Sequence, residues 1–231
     1  MLKNDSRVAI VTGATGSIGR TIAEHIASSG LRVVVHYHSD KTEADAIVES
    51  INNNGGDSLA IGADISSIDD VEKLFAQTIK HYGRVDVVVN NAAPHLGDAS
   101  PVVETTEEQF DLFFDVVARG TFFMLRKAAQ CLEDNGSIIN ISSTMTTMTV
   151  PGYAAFAGSK AAVERFTLVL AAELGPRGIR VNCIAPGIID TEELERNRRQ
   201  PQQEQLVQKL IKMTPLGRLG ETTDVAGAIR L

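Results

Sequence analysis

Tyr153 and Lys160 are two residues whose types and spacing suit proton transfer. They stand seven residues apart at the start of a helical pattern, and seven residues make close to two helical turns. A tyrosine hydroxyl has a pKa of roughly 10, and a nearby ammonium group lowers it by favouring the phenolate. The spacing predicts a proton donor tuned by a lysine on the same helix face. The alternative is a half-buried aromatic residue beside a solvated lysine.

Strand-like and helical segments that would position this pair alternate along the chain. Predicted helices run through Ser29 and over 41–53, 68–82, about 106–132 and 153–174, with Ser66 or Ser67 and Thr105 or Thr106 as caps. Predicted strands cover 7–12, 31–37, 58–62, 85–90, 137–142 and 179–184. This alternation predicts right-handed βαβ units and a parallel sheet. We expect a single domain over 1–231, with an excursion at about 188–213 that is either a lid or a solvated loop.

A glycine-rich turn near the start of the chain suits phosphate binding. Gly13, Gly16 and Gly19 follow the first predicted strand and open the first predicted helix. Glycines let the backbone approach a pyrophosphate closely, and the helix N-terminus supplies amide groups and a positive dipole. The placement predicts a dinucleotide-binding turn, and the alternative is a turn without a ligand.

The composition excludes several other classes of function. A net charge of −7 and a pI of about 5.3 do not suit a nucleic-acid or anionic-membrane surface. No apolar run is long enough to span a bilayer, and the N-terminal sequence does not have the pattern of a signal peptide. The two cysteines have no metal-ligand or disulfide spacing, so we expect free thiols, no metal and a cytoplasmic location.

Several short motifs occur in order along the chain and are specific as a set. They are Thr12-Gly13…Gly19, Asp64, Asn90-Asn91-Ala92-Ala93, Gly120-Thr121-Phe122, Ile141-Ser142-Ser143, Ser159-Lys160 and Asn182…Pro186-Gly187…Thr191. With these motifs the chain resembles the short-chain dehydrogenase/reductases over essentially its whole length. The resemblance implies a Rossmann-type doubly wound parallel sheet in three layers that binds NAD or NADP.

The resemblance also implies which residues bind the cofactor. Asp64 would hold the adenine, Asn91 and Ala92 would flank the adenosine ribose, and Lys160 would bind the nicotinamide ribose. The segment Pro186 to Thr191 would cover the nicotinamide carboxamide. The implied set is Gly13, Thr15, Ser17, Ile18, Gly19, His38, Ser39, Asp64, Ile65, Asn91, Ala92, Lys160, Pro186, Gly187, Ile189 and Thr191.

The end of the second predicted strand bears on the choice between NAD and NADP. Enzymes that use NAD commonly place an acidic residue there to bind both ribose hydroxyls. This chain instead has His36-Tyr37-His38-Ser39, with Lys41 nearby. Ser39, His38 and Lys41 could accept a 2′-phosphate, which favours NADP, and hence NADPH as reductant, while NAD stays possible.

The chain departs from the family pattern in four places. Ser17 stands at the usual middle glycine, and the glycine has moved to Gly16. Val117 replaces the active-site asparagine and Phe156 the usual tyrosine, so keto reduction by the standard residues is in doubt. Family members usually continue past Asp224-Val225-Ala226 into a last strand, so we predict six strands here, without that last strand.

The spacing of the remaining polar residues is similar to that of type III enoyl-acyl-carrier-protein reductases. They place a tyrosine seven residues before the lysine, as Tyr153 stands here, and Ser143 lies ten residues before Tyr153. The resemblance implies Tyr153, Lys160 and Ser143 as catalytic residues, with Met145, Met148 and 192–208 bordering an acyl pocket.

The resemblance therefore predicts reduction of an enoyl thioester of acyl carrier protein or CoA, in fatty acid biosynthesis, by a homotetramer or homodimer. Two alternatives stay open. In the first, the protein is a 3-oxoacyl, carbonyl or pteridine reductase with a rearranged site. In the second, it is a catalytically silent nucleotide-binding protein.

Overall fold

A six-stranded parallel sheet forms the centre of the computed structural model, which describes residues 7–97, 99–192, 194 and 201–229. The strand order is β3-β2-β1-β4-β5-β6, so chain progression reverses between β1 and β4. This confirms the predicted Rossmann-type doubly wound fold, with six strands in the described part of the chain. The strands are β1 Val8–Val11, β2 Arg32–Tyr37, β3 Asp57–Gly62, β4 Val87–Asn90, β5 Ser137–Ile141 and β6 Arg180–Ile184.

Helices cover both faces of the sheet. Two predicted caps are present, since Ser67 accepts a hydrogen bond from the Asp70 amide and Thr106 forms a capping box with Gln109. The helices are α1 Ser17–Ser28, α2 Lys41–Asn53, α3 Ile68–Tyr82, α4 Glu107–Phe113, α5 Thr121–Cys131, α6 Ala154–Leu174, α7 Pro201–Met213 and α8 Thr222–Gly227. No helix in these ranges is long and apolar enough to cross a membrane.

Two buried clusters hold the layers together, one on each face of the sheet. On one face, Val33 and Val35 of β2 pack with α1 and α2. On the other, Ile10 and Val34 pack with α3, α5 and α6. Successive side chains of a strand point to opposite faces, so a strand buried on both faces is mostly apolar, as β1 is throughout and β4 is over 87–89.

The predicted long helix over about 106–132 is interrupted in the structure. Between α4 and α5 the segment Phe114–Gly120 is a π-helix, which contains Val117. A Cβ at Gly120 would lie 3.0 Å from the Ile65 carbonyl oxygen, so the backbone passes close to the loop after β3. Hydrophobic periodicity does not reveal a π-segment, and such segments occur frequently at functional sites.

The predicted excursion at 188–213 is partly described. Its stem is closed by hydrogen bonds from the Asp190 amide to the Gly220 carbonyl (2.7 Å) and from the Gly220 amide to the Ile188 carbonyl (3.0 Å). Helix α7 lies within it. Residues 193 and 195–200 of this excursion, and 1–6, 98 and 230–231 of the predicted domain, lie outside the described residues.

Candidate active site

A wide cleft opens at the carboxyl ends of β1 and β4, where the strand order reverses. Ligands of open α/β sheets bind at such switch points. The cleft has a volume of about 780 Å³. Eleven of the predicted cofactor residues line it, namely Gly13, Thr15, Ser17, Ile18, Gly19, His38, Asp64, Ile65, Asn91, Ala92 and, from the loop after β6, Thr191. The fold therefore brings together most of the positions implied by the resemblance.

The turn after β1 is shaped for close approach of a ligand. Gly13 has a φ of +61°, and a Cβ there would lie 2.7 Å from the Ala92 Cα. A Cβ at Gly19 would run into the Gly13 carbonyl oxygen, whereas at Gly16 it would meet only that oxygen at 3.6 Å. Gly13 and Gly19 are thus required by packing, whereas the structure has room for a Cβ at Gly16. This cradle fits the pyrophosphate of a dinucleotide, with the N-terminus of α1 facing it.

Thr12 and Asn91 fasten the cradle to β4. The Thr12 hydroxyl accepts hydrogen bonds from the Asn91 and Ala92 amides at 3.0 and 3.1 Å. The Asn91 side-chain amide donates to the Thr12 and Gly13 carbonyls, both at 3.0 Å. The side-chain NH₂ of Asn91, predicted to flank a ribose, is therefore committed to holding the turn.

Asp64, predicted to hold the adenine, lines the cleft in the loop after β3. Its Oδ1 accepts hydrogen bonds from the Ser66 amide at 2.9 Å and from the Ser66 hydroxyl at 2.7 Å. At the end of β2, His38 lines the cleft and Ser39 beside it is exposed. The Lys41 ammonium is paired with Asp45 at 2.6 Å on the exposed start of α2.

Tyr153 lines a second, smaller cavity of about 170 Å³ next to the cleft. It is the N-cap residue of α6, and the turn before it is held by a hydrogen bond from the Ser100 amide to the Gly152 carbonyl (2.9 Å). Leu112 lines both cavities, so they adjoin there. The other residues around the small cavity are His95, Leu96, Gly97, Ser100, Thr105, Gln109, Phe113, Gly152, Ala155 and Phe156.

Lys160 is a buried lysine two helical turns after Tyr153. Lys160 is only 4% exposed, and its Nζ donates a hydrogen bond to the Ile141 carbonyl at 2.7 Å. The Nζ lies 5.9 Å from the centroid of the Phe156 ring, which stands between Tyr153 and Lys160 in the chain. Burial lowers the pKa of Lys160 to about 8, with Cys183 acting in the opposite direction.

Ser143 follows β5 and caps a short 3-10 turn, Thr144–Thr146, where its Oγ accepts from the Met145 amide at 3.2 Å. Glu164, one turn after Lys160 on α6, binds residues that precede and follow Ser143 in the chain. Its Oε1 accepts hydrogen bonds from the Ser142 hydroxyl (2.6 Å) and the Thr146 hydroxyl (2.8 Å). The carboxylate thus ties the loop of Ser143 to the helix of Lys160.

The two predicted apolar replacements, Val117 and Phe156, have different surroundings in the structure. Val117 is buried within the π-segment. Phe156 makes an edge-to-face contact with Phe113, with ring centroids 5.6 Å apart. Neither side chain carries a donor or acceptor, so Tyr153 is the residue near this end of the cleft that offers a phenolic hydroxyl.

The loop after β6 meets the loop after β5. The Thr144 amide donates to the Pro186 carbonyl at 3.0 Å, and Ile189 forms an isolated bridge with Gly220. Gly187 is exposed between them. The predicted carboxamide-covering segment therefore joins Ser143 to the stem of the excursion.

Comparisons with known proteins agree with this geometry. Residues 13–231 match the family model described as enoyl-(acyl carrier protein) reductase. An uncharacterized oxidoreductase of Methylorubrum extorquens is 39% identical, covering 99% of this chain and 91% of the relative. The chain belongs to the short-chain dehydrogenase/reductases. A 3-oxoacyl-[acyl-carrier-protein] reductase of Synechocystis is 35% identical, covering 97% of this chain and 88% of the relative.

A solved ketoreductase has the same fold. The angucycline C-6 ketoreductase LanV, crystallised with bound NADP, superposes with a TM-score of 0.88 at 31% identity, covering 97% of this chain and 87% of LanV. The protein is accordingly an NAD(P)H-dependent reductase of the short-chain dehydrogenase/reductase type, with a nicotinamide cofactor.

Sequence reasoning gave no individual role to four residues that shape this short-chain dehydrogenase/reductase site. Thr12 and His36 lie inside motifs that were interpreted for other reasons, and His95, in the segment after β4, belongs to none of the motifs. Glu164 carries no sequence signal, because its two partners are distant in the chain. Only the position of Thr12 directly before the glycine turn could have indicated its role.

Proposed function

We propose that this protein reduces the carbon–carbon double bond of an enoyl thioester, with Tyr153 as the residue that stabilises the developing negative charge. The observation that carries this proposal is that Tyr153 lines the small cavity together with Phe156, while Val117 is buried in the π-segment. Phe156 and Val117 stand where a carbonyl reductase of this family has its tyrosine and asparagine. The thioester oxygen would bind at the Tyr153 hydroxyl.

The chemistry of the two reactions explains why these replacements favour enoyl reduction. Reduction of a ketone produces an alkoxide, which takes a proton from the enzyme, and the enzyme must then be reprotonated through a relay. Reduction of an enoyl thioester at the β-carbon produces an enolate, which needs a hydrogen bond at oxygen and takes a proton from water at the α-carbon. A tyrosine donor suffices for the second reaction without an asparagine-held water.

Lys160 and Ser143 support Tyr153 in this proposal. A protonated Lys160 lowers the pKa of a nearby phenol and binds the ribose hydroxyls of the cofactor. Because its folded-state pKa is about 8, Lys160 is still mostly protonated at neutral pH. The Ser143 oxygen accepts from Met145, which leaves its hydrogen to donate to the substrate.

The cofactor in this proposal is NADPH. When bound, NADPH supplies the hydride. The glycine cradle would hold its pyrophosphate, and His38 with Ser39 would face the 2′-phosphate, since no acidic residue ends β2. The NADP bound by LanV supports this preference by analogy. NAD is the alternative cofactor.

The excursion at 188–213 is the proposed lid over the acyl chain. Met145 and the exposed Met148 lie on the loop after β5, and α7 is the described helix of the excursion. The small cavity has room for the thioester head of the substrate, and the rest of an acyl chain would lie under the lid. An acyl carrier protein or CoA would carry this chain.

Exposed apolar side chains on α5 and α6 support a homotetramer or homodimer. Phe122, Leu168 and Val169 are exposed on these helices. Large exposed apolar patches commonly form protein interfaces. The cytoplasmic location stays a prediction.

Carbonyl reduction is the second candidate function, favoured by the names of the relatives. The Synechocystis relative is a 3-oxoacyl reductase and LanV is a ketoreductase. In this case Tyr153 itself would give a proton to the alkoxide.

The experiment that separates these functions is NADPH oxidation with crotonyl and acetoacetyl thioesters measured side by side. Turnover of crotonyl thioester alone supports enoyl reduction, and turnover of acetoacetyl thioester alone supports the carbonyl reductase. Binding of NADPH without turnover of either thioester or of a pterin would contradict both and favour a silent nucleotide-binding protein.

A further inference from the structure

His36 is a buried histidine in β2 that faces the cofactor cleft. It is 1% exposed and lines the cleft between the glycine turn and the loop after β3. A fully buried histidine needs partners for both ring nitrogens, because an unsatisfied buried polar group costs free energy. Its partners therefore show what the side chain holds in place.

Both ring nitrogens of His36 bind backbone groups of the neighbouring strand ends. The Gly13 amide donates to Nδ1 at 3.1 Å, and Nε2 is 3.0 Å from the Ala63 carbonyl oxygen. Because an amide can only donate and a carbonyl can only accept, these contacts require a neutral ring with its proton on Nε2. The His36 carbonyl also accepts from the Ala14 amide at 2.9 Å.

The surroundings of His36 keep the ring neutral. Burial is the largest cause and lowers the pKa of His36 to about 4. The Ala63 carbonyl and the Asp64 carboxylate raise it, and His38 lowers it. A second proton would point from Nδ1 at the Gly13 amide hydrogen, so the contact with the cradle exists only in the neutral form.

We propose that His36 is a positioning residue for the cofactor, because its Nδ1 sets the orientation of the Gly13 peptide and thereby the pyrophosphate cradle. Gly13 lies in the left-handed region, and its flexible backbone needs this partner to keep a single orientation. His36 does not itself bind phosphate. The inference rests on the proposed dinucleotide cofactor, and it does not depend on the substrate.

Variants that separate the two hydrogen bonds test the proposal. His36→Leu removes both bonds while keeping an apolar side chain in the core. His36→Asn keeps a short acceptor for the Gly13 amide and loses the donor to Ala63. His81→Asn, on the exposed end of α3, is the matched control. Dissociation constants for NADPH would be measured by fluorescence on the full chain, with circular dichroism confirming the fold.

We expect His36→Leu to weaken NADPH binding by about ten- to a hundredfold, the range expected for loss of a buried hydrogen bond. His36→Asn should recover most of this loss, and His81→Asn should bind as the wild type does. Adenosine 2′-monophosphate has no pyrophosphate and so does not use the cradle. It should therefore bind each variant within about twofold of the wild type, a change of only a few tenths of a kcal/mol.

Four outcomes would overturn the proposal. Wild-type affinity for NADPH in a folded His36→Leu variant would show that the cradle does not need the ring. Equal losses for NADPH and adenosine 2′-monophosphate would show a general structural role. If the variants do not fold, ¹⁵N NMR of wild-type histidines decides, since a His36 ring protonated on Nδ1 contradicts the assigned bonds. Failure of the wild type to bind NADPH would overturn the proposed cofactor as well.

Discussion

The two ends of the cleft differ in how their residues are used. At the cradle, the side chains of Thr12, Asn91 and His36 bind backbone groups of the strand ends, so they stabilise the fold and shape the ligand site together. At the other end, Val117 is buried and Phe156 packs against Phe113, so these two apolar side chains contribute packing and no hydrogen bonds.

This difference shows which features of a site can change independently of the fold. A cradle built from backbone amides changes only if the strand ends move. A reaction centre depends on a few side chains whose loss leaves the backbone in place, so its chemistry diverges more easily. Three experiments would break or sharpen this comparison.

The largest effect should come from Tyr153→Phe. If Tyr153 is the residue that stabilises negative charge, its loss should lower kcat about a hundredfold or more, because a positioned proton donor contributes that much. NADPH affinity should stay within about twofold of the wild-type value, because the substitution leaves the cradle untouched. A twofold change corresponds to under half a kcal/mol. Steady-state kinetics and cofactor titration measure the two quantities.

A matched variant sharpens this result. Phe156→Tyr in the Tyr153→Phe background puts a phenol on the ring over which the Lys160 Nζ lies at 5.9 Å. If this double variant reduces acetoacetyl thioester, the active site differs from that of a carbonyl reductase only in its side chains and not in its backbone. Full activity of Tyr153→Phe alone would contradict the proposed role of Tyr153.

An intermediate effect should come from Gly13→Ala. The new Cβ would lie 2.7 Å from the Ala92 Cα at a φ of +61°. Left-handed strain and overpacking together should lower the free energy of unfolding by about 2–4 kcal/mol. Urea unfolding measures this change.

Gly16→Ala is the control for this prediction, since its φ is −81° and its Cβ meets only the Gly13 carbonyl oxygen. It should change stability by less than about 0.5 kcal/mol, as surface substitutions usually do. Equal stability of the two alanine variants would show that the cradle is not shaped by packing.

The smallest effect should come from Lys160→Met, with the opposite sign. Burial lowers the folded-state pKa of Lys160 from 10.5 to about 8, so the charged form destabilises the fold by about 3 kcal/mol at neutral pH. Loss of the bond to the Ile141 carbonyl offsets part of this, so we expect a net gain of about 1–2 kcal/mol at pH 7.

The control for this prediction is the pH dependence of the wild type's free energy of unfolding. Between about pH 8 and 10.5 the folded protein binds fewer protons than the unfolded chain, so its stability should rise with pH across that window. The advantage of Lys160→Met should disappear over the same window. Unfolding at pH 7 and pH 10 tests this, and a destabilised variant at pH 7 would contradict it.

Much of the fold follows from local patterns. The apolar runs of β1 and β4 predicted buried parallel strands, and Ser67 and Thr106 were identified as candidate caps because capping is a local interaction. The π-segment was not predicted, because it depends on the close approach of Gly120 to the loop after β3.

The sequence by itself determined the α/β class, the glycine turn and the spacing of Tyr153 and Lys160, since each depends on neighbours along the chain. Only the tertiary structure decided the uses of His36, Asn91 and Glu164. Their partners lie on other strands, helices or loops, and hydrogen bonds between distant segments exist only after the sheet has assembled. For the same reason the burial that lowers the pKa of Lys160 appears only in the folded chain.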